Sequence, residues 1–201
     1  MTAPEVAIID GGGANIASLD YALQRIGVSS ILTKDVATIE SASHVILPGV
    51  GAAAAAMYKL NRASLVPVIA NLRQPVLGIC LGMQLLAAQS EEDNARCIGV
   101  YPDHATRLPG SADTPVPNMG WCQVSIKKPH ALLDGIADGS WFYFVHSYAL
   151  PVSGISLATA THAGEFAAIN SMHNFHAVQF HPERSAAAGS RLLQNFLGLA
   201  T

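Results

Sequence analysis

The stretch Val76-Leu77-Gly78-Ile79-Cys80-Leu81-Gly82 constrains this chain more than any other. An apolar run, Val76 to Ile79, leads into a cysteine with glycines two residues before and two after it, and Met83 to Gln89 follows with a helical pattern. G-x-C-x-G between a strand and a helix has the form of a nucleophile elbow with cysteine in place of serine. Small residues are required on either side because the turn is tight and its backbone approaches its neighbours closely. The turn is expected to lift Cys80 out of the C-terminal edge of a sheet and leave its sulfur at a helix N-terminus, where the macrodipole favours a thiolate. A lone cysteine is more often a buried structural residue; the paired glycines are what point Cys80 toward chemistry.

An elbow needs a sheet around it, and the first half of the chain supplies the pattern. Val6 to Ile9 reads as a strand ending at Asp10 and three glycines, and Asn15 to Ile26 as a helix with Ile16, Leu19, Leu23 and Ile26 on one face. Asn15 is a plausible N-cap, and Gly27 closes that helix. Further strands are expected at Val28 to Thr33 and at His44 to Leu47, the latter stopped by Pro48-Gly49. Helices are expected at Ala52 to Leu60 and at Leu65 to Leu72, with Pro67 in the first turn. Such alternation implies a parallel sheet with right-handed crossovers. Half the residues are apolar and only 12% charged, as in an α/β protein whose sheet is covered on both faces.

The second half changes character. Residues 97–126 hold Pro102, Pro109, Pro115 and Pro117 among short β-prone pieces, and Trp141 to Val145, Ser156 to Thr161, Phe166 to Asn170 and Ala177 to Phe180 read as strands before a closing helix, Ser190 to Leu199. No linker or fixed-period repeat interrupts the chain, so one three-layer α/β domain over 1–201 is expected, its mostly parallel central sheet carrying an added antiparallel β section.

Composition excludes several classes. The net charge is −3 and no Lys/Arg run exists, so a nucleic-acid partner is not expected. No apolar stretch approaches the about 18 residues that cross a bilayer, and Met1-Thr2-Ala3-Pro4-Glu5 has no signal-peptide pattern. Cys80, Cys97 and Cys122 are odd in number and far apart, unlike a secreted disulfide framework. The eight histidines form no metal-binding spacing, so neither a metal nor another cofactor is expected, and a reducing cytoplasm is the default compartment.

Three other motifs bear on chemistry. His181-Pro182-Glu183 follows the last strand, and a period of two would place the imidazole and the carboxylate on one side. A histidine oriented by a carboxylate is what a thiol needs as base and then as proton donor; taken alone, the tripeptide also reads as a surface histidine and a solvated acid. The glycines of Pro48-Gly49-Val50-Gly51 permit a backbone in which an N–H points into a cleft, able to form an oxyanion hole with the Leu81 N–H, although standing alone the segment reads first as an ordinary turn. Gly11-Gly12-Gly13 fits neither dinucleotide nor P-loop spacing and reads as a flexible loop.

Together these stretches resemble the class I (triad) glutamine amidotransferases, which have a flavodoxin-like fold: GICLGMQ at 78–84, PGVG at 48–51 and QFHPE at 179–183. Within that family the PNMGW at 117–121 and YFVHSY at 143–148 are similar to the glutaminase subunits of imidazole glycerol phosphate synthase, which act in histidine biosynthesis. The resemblance implies Cys80, His181 and Glu183 as a catalytic triad, backbone N–H groups of Val50 and Leu81 as the oxyanion hole, and glutamine contacts at Gly49, Gly51, Gln84, Ser147 and Tyr148. It also implies ammonia transfer to a (β/α)8-barrel cyclase in a heterodimer, with Asn15, Met119 and Trp121 facing that partner; as residues alone, Asn15 also reads as a cap and Met119 and Trp121 as core, a reading of equal weight for Trp121. The chain departs from the family's pattern at Gly11, Ala14, Asn118, Cys122, Ala163 and Arg184.

Rival readings are a glutaminase serving another synthase, a catalytically silent interaction subunit of the same fold, and an elbow-cysteine hydrolase or chaperone. P-x-MGW and YFVHSY count against the first, the complete triad against the second, and His181-Pro182-Glu183 against the third.

Overall fold

A computed structural model of the chain describes residues 6–11 and 16–200. Strands β1 (Val6–Ile9), β2 (Ser30–Thr33), β3 (His44–Gly49) and β4 (Val76–Cys80) alternate with helices α1 (Ile16–Arg25), α2 (Val36–Ser41), α3 (Ala53–Arg62), α4 (Leu65–Ala70) and α5 (Leu81–Leu86). Short strands β5 (Gln89–Ser90), β6 (Ala95–Arg96) and β7 (His104–Arg107) follow, then β8 (Asn118–Ile126), β9 (Ser140–His146) and β10 (Tyr148–Ala149). The chain closes with β11 (Ser156–Thr161), β12 (Glu165–Met172), β13 (Phe175–Val178) and α6 (Ala186–Leu197).

The main sheet has nine strands in the order β2-β1-β3-β4-β13-β12-β11-β8-β9. β13 is its joint, parallel to β4 on one edge and antiparallel to β12 on the other. Strands β2, β1, β3, β4 and β13 therefore form a parallel half, and β12, β11, β8 and β9 extend it in antiparallel fashion. A small second sheet, β10-β7-β5-β6, lies beside it.

Side-chain alternation explains the layers. Val6 and Ile8 enter one core while Ala7 and Ile9 enter the other, so both faces of β1 are buried, as its unbroken apolar run requires. α1 and α6 cover the first face, with Leu19, Leu23, Leu192 and Phe196 packed against Phe142, Phe144 and Phe180. α2 to α5 cover the second through Ile39, Met57, Leu60, Ile69 and Leu85. The expected three-layer α/β architecture is the one observed.

Several boundaries differ from expectation, each for a local reason. β2 begins at Ser30 rather than Val28, because Val28 N donates to Leu23 O and Gly27 N to Gln24 O, a Schellman closure of α1 with Gly27 at φ +81°. β3 continues through Pro48 and Gly49, which face Ile79 and Cys80 of β4. Its pairing with β1 ends at Ile46, so the missing N–H of Pro48 forfeits no ladder bond. α2 was not anticipated; Asp35 caps it by accepting from Thr38 N at 2.9 Å. α5 starts at Leu81 and ends at Leu86, so Gln89 belongs to β5 rather than to the helix. β13 ends at Val178, two residues earlier than expected. The Asn15 cap and the Gly12-Gly13 part of the glycine loop lie outside the described residues.

The parallel half meets the elbow at one very close contact: a Cβ on Gly82 would sit 1.8 Å from Leu47 O. Gly82→Ala is expected to lose about 3 kcal/mol of stability, the scale of overpacking a rigid core, read as a lower urea midpoint against wild type.

Candidate active site

Cys80 ends β4 and opens α5 with φ 54° and ψ −110°, a conformation that L-residues rarely adopt. Strain of this kind costs roughly 1–3 kcal/mol and persists only where surrounding structure enforces it. Here the enforcement is close packing of backbone on backbone. A Cβ on Gly78 would lie 3.0 Å from the Gly82 carbonyl, and one on Gly49 would lie 2.9 Å from Gly82 N. These glycines are therefore required for approach, as the tight turn implied, and the strained residue is the cysteine itself.

The second half of the site is a turn, not a strand. β13 has ended before His181, and Pro182–Arg184 forms a 3-10 turn. Strand periodicity is thus not what brings His181 to Glu183; the turn folds the carboxylate back under the imidazole, giving Nδ1···Oε1 2.8 Å with side chains 9% and 5% exposed. Two bonds fix the backbone there: His181 N donates to Tyr143 O at 2.9 Å, and Ser185 Oγ donates to His181 O at 2.7 Å. Tyr143 N in turn donates to Ser185 Oγ. Ser185, buried and without a sequence motif to mark it, ties the His181–Glu183 turn to β9.

With Nδ1 engaged by Glu183, the other imidazole nitrogen, Nε2, is buried without a hydrogen-bond partner, as is Glu183 Oε2. Burial disfavours charge on His181, but the Cys80 sulfur and the Glu183 carboxylate outweigh it and raise the imidazole to about 10. A proton held that firmly beside a sulfur is suited to stabilising a thiolate and to being delivered to a leaving group.

Cys80, His181 and Glu183 line one cavity of about 360 Å³, within the usual range for a small-molecule site. Val50, Gly51, Leu81 and Gln84 line it from the β3 and elbow side, and Ser147 and Tyr148 from the β9–β10 side. Gly49 is not among the lining residues; it sits behind them, against the elbow. Gln84 is buried, its Nε2 donating to Tyr148 O at 2.8 Å and to Gln179 Oε1 at 3.1 Å. Several wall residues were missed in the sequence, among them Glu92 and His146. Glu92 accepts from Ala53 N at 2.7 Å and presents its carboxylate at the wall; nothing in the local pattern signals it. His146, inside the noted YFVHSY, is 6% exposed and held near 4 chiefly by burial, hence neutral at physiological pH. Among the described residues no group of three or more His, Cys, Asp and Glu could hold a metal ion.

On the outer face of β8 the core reading of Met119 and Trp121 fails: they are 65% and 48% exposed. β8 alternates, so Asn118 and Val124 point inward while these two point out. Trp121 meets Tyr143 edge-on at 6.0 Å, and the Arg184 guanidinium lies 4.6 Å over the Tyr143 ring. Arg184 also lines the cavity, so this aromatic surface reaches its rim. Asn15 lies outside the described residues.

The profile of the family described as glutamine amidotransferase class-I matches residues 7–199. The chain is 46% identical over 193 residues to imidazole glycerol phosphate synthase subunit HisH of Xylella fastidiosa, covering 96% of each chain. It is 45% identical over 199 residues to the subunit of the same name from Photorhabdus laumondii, covering 96% of this chain and 98% of that one. A solved structure described as glutamine amidotransferase superposes with TM-score 0.74 at 17% identity, covering 96% of this chain and 97% of that one. A glutamine amidotransferase from Thermotoga maritima does so with TM-score 0.68 at 18% identity, covering 98% and 83%. At those identities the two structures share the fold.

The raised imidazole gives a signed pH dependence. A folded-state value above the unfolded one, ordinarily near 6.5, contributes stability that is complete below about 6.5 and lost as pH rises through about 10. Glu183→Gln is expected to flatten this loss, so the stability gap between wild type and variant, measured by urea unfolding, narrows from pH 6 to pH 10.

Proposed function

This chain belongs to the class I glutamine amidotransferase family, and from that premise we propose that Cys80, His181 and Glu183 are the triad with which it hydrolyses glutamine. Its activity is that of the glutaminase subunit of imidazole glycerol phosphate synthase in histidine biosynthesis. The observation that carries the residue assignment is the buried imidazole bound to Glu183 through Nδ1, in a cavity it shares with the Cys80 sulfur.

The Cys80 thiolate adds to the amide carbon of glutamine, and the carbonyl electron pair moves to oxygen. That oxyanion is met by backbone N–H groups of Val50 and Leu81. The tetrahedral species collapses with cleavage of C–N as His181 gives its proton to the departing nitrogen, releasing ammonia and leaving a thioester. Water, deprotonated by His181, then adds to the thioester, and expulsion of the thiolate releases glutamate. Glu183 keeps the imidazole in the required tautomer throughout. Gly51, Gln84, Ser147 and Tyr148 are assigned to the glutamine side of the cavity and Gly49 to shaping the backbone beneath it. The Glu92 carboxylate suits the substrate's ammonium group.

The relatives' names describe a subunit, and the partner proposed is a (β/α)8-barrel cyclase, in a heterodimer that passes ammonia directly to it. Support comes from the exposed Met119 and Trp121, continuous through Tyr143 and Arg184 with the cavity rim, and from the resemblance that also assigns Asn15 to that face. The same resemblance reads the chain as one domain over 1–201. No described helix is long and apolar enough to cross a membrane, and Cys80, Cys97 and Cys122 are all free; a cytoplasmic location fits both.

Replacing Cys80 by alanine is expected to lower glutamine-dependent product formation by roughly four orders of magnitude, the scale seen when a nucleophile is deleted, and to leave ammonia-dependent formation by the complex intact. Loss of both, or of neither, overturns the assignment. Trp121→Ala is expected to weaken binding to the cyclase by roughly 30-fold, as for a central aromatic contact, with the free subunit's unfolding midpoint little changed.

A further inference from the structure

Behind the nucleophile lies a hydrogen-bond chain that the triad does not use. Gln179 is fully buried between the end of β13 and the elbow, and its Nε2 stands 3.7 Å from Cys80 Sγ. Its backbone is fixed by Gln179 N donating to Ala168 O at 2.9 Å. Which end of each side-chain amide is nitrogen follows from its surroundings. The Tyr148 carbonyl can only accept, so the end of Gln84 that meets it at 2.8 Å is Nε2. That same nitrogen lies 3.1 Å from Gln179, which must therefore present Oε1 to it. The remaining end of Gln179, its NH2 group, then faces the sulfur.

The chain is consistent at its far end. His146 Nδ1 lies 2.9 Å from the same Tyr148 carbonyl and so carries a proton, leaving Nε2 to accept from Asn118 Nδ2 at 3.1 Å. Every polarity from β8 to the elbow follows from one backbone carbonyl. On its other side the sulfur meets Val145 O at 3.7 Å, an acceptor that favours the neutral thiol. The Gln179 N–H favours the thiolate instead.

We infer that Gln179 is a catalytic residue that donates a hydrogen bond to the Cys80 thiolate, its amide locked in the donating orientation by Gln84 and the Tyr148 carbonyl. The inference rests on Cys80 being the nucleophile. It assigns a role to the first residue of QFHPE that a merely space-filling polar side chain would not have.

The test is the pH dependence of Cys80 alkylation by iodoacetamide, followed by mass spectrometry of the peptide so that Cys97 and Cys122 are scored separately, on the full chain with its partner subunit bound. Gln179→Glu keeps the shape, replaces the donor by an acceptor and adds a negative charge; Gln179→Met removes the donor together with the Oε1 that accepts from Gln84 Nε2. Both leave in place the titratable groups around the cavity, His181, Glu183, His146, Glu92, Tyr148 and Arg184. The alkylation midpoint should rise by about one pH unit in the methionine variant, roughly tenfold slower labelling at neutral pH, and further in the glutamate variant. The turnover number for glutamine should fall in step, with KM changed less. A folded variant whose midpoint matches wild type overturns the inference. If neither variant folds, the side-chain NH2 resonance of Gln179 in 15N-glutamine-labelled wild type decides. It should shift with the same midpoint as Cys80 alkylation, and a resonance that stays fixed overturns the inference equally. Full activity of wild type after Cys80 alkylation would instead sink the nucleophile assignment beneath it.

Discussion

The seating of the elbow on the end of β3 is the contact on which the rest of the structure depends. Gly82 lies so close to the Leu47 carbonyl, and Gly49 to Gly82 N, that no side chain larger than hydrogen fits at either position. That approach holds Cys80 at a positive φ, and the strained residue is the one whose sulfur must leave the sheet and stand in the cavity. The same contact draws β3 through Pro48 into register with β4, which brings Val50 and Gly51 to the cavity wall. Packing between two backbones thus supplies both the position of Cys80 and one side of the cavity it lines.

The opposite wall is organised by hydrogen bonding. β13 joins the parallel and antiparallel halves of the sheet, and the residues after it turn sharply into the cavity. Ser185 links that turn to β9 through the His181 carbonyl and the Tyr143 amide. The buried His181–Glu183 pair is therefore held from behind, and the burial that disfavours the imidazolium is outweighed by the carboxylate and the sulfur. A buried ion pair retained at such a place is a sign of chemistry more than of stability.

The antiparallel extension gives the molecule an exposed aromatic surface. Because β8 alternates, the strand that buries Asn118 beside His146 also exposes Met119 and Trp121. Arg184 connects the two regions, stacked on Tyr143 on one side and lining the cavity on the other. The exposed aromatic surface and the cavity rim therefore share residues.

Much of this was legible in the order of residues. Apolar runs of period two and three-to-four marked the strands and helices of the parallel half, since burial on both faces leaves few other readings, and the glycines around Cys80 announced a turn that only small residues permit. His181 and Glu183 were recognisable as partners, yet for the wrong reason: periodicity put them on one side of a strand, whereas a 3-10 turn brings them together. Met119 and Trp121 could be read as core or as surface, because hydrophobicity does not say which face of an edge ribbon has a covering layer. Glu92, Ser185, His146 and Gln179 had no readable role, since each acts through partners remote along the chain: Ala53, Tyr143, Asn118 and Cys80. Local pattern determined which elements form and which side chains are chemically capable. Only the packed fold decided which of them meet, because hydrogen bonds and electrostatic shifts depend on distance through space and on exclusion of water, and neither is written in sequence spacing.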